Sequence, residues 1–471
     1  MAIETELLIL GGGTGGYVAA IRAAQKGMDV VLVEKDKLGG TCLHRGCIPS
    51  KALLRSAEVI DTLKKADEFG IELNDTATIN YTKIRERKQA IVDQLHQGVQ
   101  GLVKKNKIKL VQGKGAVLGP SIFSPVSGAV AVTFNDPDKE EEIYVPKKLI
   151  IATGSAPSTL PHLPLDEEMI LSSNGMFELE ELPESMAIIG GGVIGVEWAS
   201  LLNSLGVKVT LFEALDRLVV NESKSISKSL LKQFKQRGID VKVSKLVEKA
   251  EIKDGKVALS VKDEAEVLEV DKVMVAIGRK PIVEGIGLQN TSVKYDAKGI
   301  KVNEHYQTSE SHIYAIGDCI DTLQLAHVAM KEGELAVDHI AADTSEPINY
   351  VNVPRCTYSS PEIASVGYTK ETLPKGKKVK TGTFYFNSNG KALIHGHSDG
   401  FVEVLKDEET DDLIGVSIIG PHATDLISEV STAIYMDASP IEIGEAIHPH
   451  PTLSEAIQEA ALDVYKLAIH K

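Results

Sequence analysis

Cys42 and Cys47 are two of only four cysteines in 471 residues, and they stand close together in Gly39-Gly40-Thr41-Cys42-Leu43-His44-Arg45-Gly46-Cys47. So few cysteines exclude a secreted disulfide scaffold, and a close pair in a reducing compartment points to redox catalysis. In an unbroken helix their spacing corresponds to about 7.5 Å of rise, past the roughly 7 Å limit for a disulfide. A bridge therefore requires a distorted helix start, which Gly46 and Pro49 favour. Strained, accessible disulfides are the ones that cycle. Two buried thiols, or half of a zinc site, are the alternatives, although no second cysteine or histidine pair stands at ligand spacing and no metal is expected. At a helix start Cys47 would ionise more readily, and Lys51 follows one turn later on the same face.

A second group stands at the other end of the chain, in His448-Pro449-His450-Pro451-Thr452-Leu453-Ser454-Glu455. Each histidine precedes a proline, which biases it out of helical geometry, and Glu455 opens the helix that follows. A carboxylate there could bond an imidazole, fix its tautomer and raise its basicity, as a general base requires. By spacing alone His448 and His450 are rivals.

Two glycine turns supply anion sites. Gly11-Gly12-Gly13-Thr14-Gly15-Gly16 follows an apolar run at 7–10 and precedes an alanine-rich stretch at 17–25, with Glu34 closing the next apolar run. The glycines at 11, 13 and 16 permit a tight turn, approach of backbone to a pyrophosphate, and close helix packing; the acid would take ribose hydroxyls. The pattern returns in Gly190-Gly191-Gly192-Val193-Ile194-Gly195, where Glu213 stands to Gly190 as Glu34 stands to Gly11. Two dinucleotides are implied. An acid at Glu213 would repel a 2′-phosphate, which favours NAD over NADP, and nearby Arg217 reads as a solvated helix charge.

The elements that must position these groups follow from the apolar pattern. Each glycine turn sits between a strand and a helix, the second unit having its strands at 187–189 and 207–212 and its helix at 197–205. A helical stretch covers about 53–105, and the proline-rich residues 157–164 read as a crossover. Strand signals recur around Val241, Val257 and Val273, and a boundary is expected near 343–354. The last segment alternates strands at 384–386, 401–405 and 413–419 with helices at 421–437 and 452–467. This predicts an α/β chain with two Rossmann-like dinucleotide-binding domains at 1–150 and 151–275, a further stretch at 276–347 and a C-terminal α+β domain at 348–471. The net charge of −15 disfavours nucleic acid and anionic membranes as partners. The absence of long apolar runs and the acidic MAIETELLIL opening lead to a cytoplasmic expectation.

GGTCLHRGCIPSK at 39–51 resembles the redox segment of the class I pyridine nucleotide-disulfide oxidoreductases, most closely their dihydrolipoyl-oxidising members. The resemblance continues through Ala152-Thr153-Gly154-Ser155-Ala156-Pro157, Glu197, Ala276-Ile277-Gly278-Arg279, Ala315-Ile316-Gly317-Asp318 and the segment at 448–455. It assigns 1–150 to FAD, 151–275 to NAD, 276–347 to a central domain completing the FAD site and 348–471 to a dimer interface. It implies that Cys42 meets substrate and Cys47 faces FAD, and that Lys51 pairs with Glu197 beside the flavin. It implies that Thr41, Thr153, Gly154, Ser155, Asp318 and Ala326 contribute to FAD binding, with Asp318 on the ribityl chain, and that Gly278 and Arg279 contribute to NAD binding. It selects His450, oriented by Glu455, as the base. It further implies a homodimer in which each site takes its histidine from the partner subunit, and a lipoylated acyltransferase subunit of a 2-oxo acid dehydrogenase complex, or a lipoyl carrier protein, as the partner. Ile282 departs from the family's usual asparagine and puts one local turn contact in question. The alternatives are another NAD(P)H-dependent disulfide reductase of the family, against which the cysteine-free tail and Glu213 both count, and a non-catalytic scaffold of a complex.

Overall fold

The computed structural model describes residues 2–73, 77–121, 126–342 and 346–471, so the start of the boundary expected at 343–354 and part of the helical stretch expected at 53–105 lie outside the described residues. The chain divides into two compact units.

The first unit contains residues 1–52, 82–158 and 278–348. Its sheet is built on Ala2–Leu10, whose strand register pairs Leu7 with Val30 on one side and with Lys148 on the other. Val30–Glu34, Glu142–Ile151 and Ile313–Ala315 run parallel within this sheet. Lys109–Val117 adds to the Val30–Glu34 side, and Val130–Phe134 runs antiparallel between Lys109–Val117 and Glu142–Ile151. Strands covered on both faces read as continuous apolar runs, and Leu7, Leu8 and Ile9 are indeed fully buried. Helices Thr14–Gln25 and Ala326–Ile340 belong to the same unit. Gly15 and Gly333 let them approach: a Cβ on Gly15 would stand 3.0 Å from the Ala329 carbonyl oxygen, and one on Gly333 2.8 Å from that of Gly15. The stretch expected as a separate central domain thus gives both a strand and a helix to the first unit.

The second unit contains residues 53–81, 159–277 and 349–471. It carries an all-parallel sheet ordered Asp240–Lys242, Lys208–Phe212, Ser185–Ile189, Lys272–Val275, Ile170–Ser172. It also carries an antiparallel sheet ordered Arg355–Thr357, Glu362–Gly367, Leu413–Gly420, Phe401–Asp407, Val379–Tyr385. Helices Ala423–Tyr435 and Glu455–Asp463 pack on this antiparallel sheet through Ile427, Val430, Ile457 and Ala460, all buried.

The stretch expected as one helical region resolves into Cys47–Lys64 and Tyr81–Lys105, with a short 3-10 turn at Ala66–Phe69 closed by left-handed Gly70. No helix among the described residues is long and apolar enough to cross a membrane.

Candidate active site

The Gly40–Arg45 helix stops at Gly46, which leaves helical geometry with φ −155° and ψ −115°, and a new helix begins at Cys47. That is the interruption which the cysteine spacing requires. A Cβ on Gly46 would stand 3.0 Å from the Thr41 carbonyl oxygen and 3.4 Å from Cys42 Cα, so glycine is what allows the chain to fold back so closely. Pro49 occupies the first turn of the second helix, where a missing N–H costs nothing. The two cysteines are free thiols, with Cys42 hydrogen-bonded to Cys47. That hydrogen bond, followed by burial, pushes the Cys42 thiol far above its ordinary range, against an opposing pull from Lys51. Tyr17, whose hydroxyl is pushed up chiefly by burial, neighbours Cys42 and is a residue that sequence reasoning missed. Its place directly behind Gly16 is the signal that points to it.

The segment is tied to the turn preceding it. His44 Nε2 and His96 Nδ1 both meet the Leu38 carbonyl, at 2.8 and 3.0 Å, and Arg45 pairs with Asp36 at 2.7 Å.

The two glycine turns repeat atom for atom. Gly11 and Gly190 have φ of +112° and +114°, and a Cβ on either would fall 2.3 Å from a carbonyl oxygen of the neighbouring strand's end, Ala152 or Ala276. On Gly16 or Gly195 a Cβ would lie 1.8 or 1.9 Å from the carbonyl oxygen of the turn's own first glycine. The middle positions differ: the nearest atom to a Cβ on Gly13 is 4.0 Å away, and nothing lies within 4 Å of one on Gly192. Each turn thus leaves open room at the start of a helix, Thr14–Gln25 or Val193–Ser204, where backbone N–H groups favour a phosphate. The two openings fit the pyrophosphates of FAD and NAD.

Glu34 and Glu213, expected to face ribose, are engaged first with their own turns. Glu34 accepts from the N–H groups of Gly12 and Asp36 at 2.6 and 2.7 Å; Glu213 accepts from those of Gly191 and Leu215 at the same distances. A carboxylate has about four acceptor positions, so hydroxyls can still be bound. Arg217 requires a correction. It lies in a loop rather than on a helix, its side chain is only 20% exposed, and it donates to the Val220 carbonyl at 2.8 Å, three residues on in the same loop.

In the first unit the Ser155 hydroxyl donates to Asp318 at 2.6 Å, and Arg279 bonds both the hydroxyl and the carbonyl of Ser155 at 2.7 Å. Burial lowers the Arg279 guanidinium pKa, opposed by Asp318 and Cys47. The structure thus groups Arg279 with residues expected at the flavin rather than with the second glycine turn. Gly278, at φ +113°, accepts from the Ser158 N–H at 3.0 Å. At the position of Ile282 the backbone is engaged: its carbonyl accepts from the Thr153 hydroxyl at 2.7 Å and its N–H donates to the Gly154 carbonyl at 2.9 Å. Gly154 has φ +71°, and no atom lies within 4 Å of where a Cβ on it would stand. Thr41 is exposed on the redox helix, and Ala326 opens its own helix.

In the second unit Glu197 is 5% exposed and accepts from the Tyr358 N–H at 2.9 Å. His450 is 80% exposed at its side chain, and its Nδ1 lies 2.8 Å from Glu455 Oε1, leaving Nε2 toward solvent. Burial alone would raise the Glu455 carboxyl, but the Thr452 N–H and the His450 ring bring it below its usual range. The rival, His448, is only 7% exposed at its side chain, with Nε2 2.8 Å from Glu429 and Nδ1 2.9 Å from the Ala446 carbonyl. Geometry separates the two histidines that spacing left equal: one ring nitrogen of His450 is free to meet a substrate, and neither of His448 is.

Residues 5–333 match the family model described as pyridine nucleotide-disulphide oxidoreductase, and residues 353–461 match the dimerisation domain of that family. The chain is 51% identical to a dihydrolipoyl dehydrogenase of Bacillus subtilis over 100% of both chains. It is 42% identical to a second dihydrolipoyl dehydrogenase of that organism, over 98% of this chain and 99% of the other. Among solved structures, LpdA from Mycobacterium tuberculosis matches with a TM-score of 0.90 at 26% identity, covering 97% of this chain and 99% of that one.

Proposed function

The chain belongs to the pyridine nucleotide-disulphide oxidoreductase family, and from that premise we propose that it oxidises protein-bound dihydrolipoyl groups to the cyclic disulfide, using FAD and with NAD as acceptor. The observation that carries the reading is the conjunction of an interrupted helix holding Cys42 on Cys47 with an exposed imidazole oriented by Glu455. Full-length similarity to dihydrolipoyl dehydrogenases supports the substrate.

Bound FAD would supply a two-electron acceptor at the dithiol and a hydride donor toward NAD. Gly11, Gly13, Gly16, Glu34, Thr41, Lys51, Thr153, Gly154, Ser155, Asp318 and Ala326 would hold it. Gly190, Gly192, Gly195, Glu213, Gly278 and Arg279 would hold NAD. In this reading residues 1–150 with 276–347 serve FAD, 151–275 serve NAD and 348–471 form the interface.

The chain's own steps then follow. His450 Nε2 removes a proton from one substrate thiol. The thiolate attacks Cys42 Sγ, the Cys42–Cys47 bond breaks, and Cys47 leaves as thiolate. Once the first proton has passed to solvent, His450 takes the proton of the second substrate thiol, and the new thiolate attacks the substrate sulfur joined to Cys42 and closes the lipoyl ring. Cys42 departs as thiolate and takes that proton from His450, leaving the Cys42 thiol beside the Cys47 thiolate, which on protonation would give the hydrogen-bonded pair of free thiols. Lys51, with Glu197, would steady the negative charge beside Cys47.

The dimerisation domain supports a homodimer, in which His450 of one subunit would serve Cys42 of the other. A lipoylated acyltransferase or lipoyl carrier protein is the proposed partner, and a reducing, cytoplasmic setting suits a dithiol that must cycle. Activity assays separate this reading from its rivals. NAD-dependent oxidation of dihydrolipoamide should greatly exceed NADPH-dependent reduction of oxidised glutathione; the reverse preference would overturn it, and so would unchanged turnover in Cys42→Ser.

A further inference from the structure

Residues 446–454, between the Pro440–Glu445 and Glu455–Asp463 helices, carry His450 at an exposed bend. Pro449 and Pro451 flank it, so two of the backbone positions in this short segment have no N–H to donate. Such a segment cannot be held by a backbone ladder. Side chains must hold it, and there are ties on both sides of His450.

On the C-terminal side, the Thr452 hydroxyl donates to the Pro449 carbonyl at 2.8 Å, its N–H donates to Glu455 at 2.8 Å, and its carbonyl accepts from Asn389 at 3.0 Å. On the N-terminal side the tie is His448. Its Nδ1 lies 2.9 Å from the Ala446 carbonyl, which also accepts from Gln458 at 3.1 Å, and its Nε2 lies 2.8 Å from Glu429 on the Ala423–Tyr435 helix. This imidazole is 7% exposed, while neighbouring Ile447 is 99% exposed and cannot anchor anything within the chain. His448 is therefore the only side chain from residues 447–449 with a described hydrogen bond to another element, and Glu429 is its anchor.

We propose that His448, held by Glu429, is a positioning residue for the base: it fixes the N-terminal side of the His450 bend so that Nε2 presents at one place. This rests on the reading of His450 as the base. His448 does not itself exchange protons with substrate, because both ring nitrogens are already engaged and the ring is buried. A misplacement of about 1 Å at a reacting group costs on the order of 100-fold in rate, so the consequence of losing the tie is kinetic.

The test uses the FAD-loaded dimer and two assays: NAD-dependent dihydrolipoamide oxidation, which needs the base, and NADH oxidation by ferricyanide, which does not. His448→Ala should lower kcat for dihydrolipoamide about 10- to 100-fold, leaving KM for NAD and the ferricyanide rate unchanged. His448→Gln, whose amide can still donate to Glu429, should recover most of the loss, and Glu429→Ala should reproduce His448→Ala. The pH profile of kcat/KM should lose sharpness on its acid side in His448→Ala and regain it in His448→Gln. If His448→Ala keeps kcat within about twofold while His450→Ala is inactive, the positioning role is wrong and the base stands. If His450→Ala keeps lipoamide turnover, the base assignment itself has failed. Loss of the ferricyanide rate in both His448→Ala and His448→Gln would mark His448 as a folding residue and overturn the proposal.

Discussion

At the scale of single residues, the chemistry turns on where two protons rest. Cys42 keeps its proton because Cys47 accepts a hydrogen bond from it and because the pair is partly withdrawn from water. Removing the acceptor should reverse the larger of these effects. In Cys47→Ala, alkylation of Cys42 by iodoacetamide, mapped by mass spectrometry after reduction, should rise at lower pH than in the parent dithiol; an unchanged profile would mean that burial alone sets the Cys42 thiol. Glu455 is the opposite case. Its carboxyl lies below the usual range, so the charged form that holds Thr452 and His450 persists through ordinary carboxylate pKa values near about 4.3 and is lost only as the pH falls further. Activity lost on mild acidification therefore does not report this carboxyl. Glu455→Gln removes the anion that favours imidazolium. With the ring no longer oriented by a carboxylate, kcat for dihydrolipoamide should fall about 100-fold, and an unchanged kcat would place some other group at the base.

At the scale of elements, the glycine turns separate folding from binding within a few residues. A methyl group on Gly195 collides with the Gly190 carbonyl oxygen at 1.9 Å, whereas one on Gly192 meets nothing within 4 Å. Gly195→Ala should therefore lower Tm or prevent accumulation of folded protein. Gly192→Ala should leave Tm unchanged, because its methyl occupies only the opening meant for phosphate, and should raise KM for NAD by about 10-fold or more, equivalent to roughly 1.4 kcal/mol of lost binding. Equal thermal stability of the two variants in a melting experiment would refute this division. The same turns show what a sequence can and cannot disclose. Glycine spacing, strand and helix around each turn, and the helix break at Gly46 are readable because each depends on residues within one turn of each other. The engagement of Glu34 and Glu213 with Gly12 and Gly191 is not readable, since it depends on how two strand ends converge. Nor is the burial of Arg217, which follows the course of a loop, or the tie from His448 to Glu429, which joins a bend to a helix. Ile313–Ala315 enters the first sheet beside Glu142–Ile151, a long-range pairing that no local pattern announces.

For the whole molecule, the question is why a base at one end of the chain should serve a dithiol at the other. The dimerisation domain at 353–461 contains His450, and the same part of the chain leaves Tyr435, Met436 and Ile447 exposed at 89%, 72% and 99%. These side chains are available for a partner surface to cover, and Ile447 is three residues before His450, the proposed base. If a second copy of the chain covers it, every active site draws on two subunits, and two defects on different chains can compensate each other. Cys42→Ser and His450→Ala homodimers should each be inactive toward dihydrolipoamide. When they are mixed, dissociated with mild denaturant and reassociated, about half of the dimers should be mixed by random pairing. Each mixed dimer then has one site built from an intact Cys42 and an intact His450, so about a quarter of wild-type activity should return, in line with the two-fold symmetry of such an interface. If each chain instead uses its own histidine, every site in the mixture carries one defect and no activity returns, which would leave the dimer a structural assembly rather than the unit of catalysis.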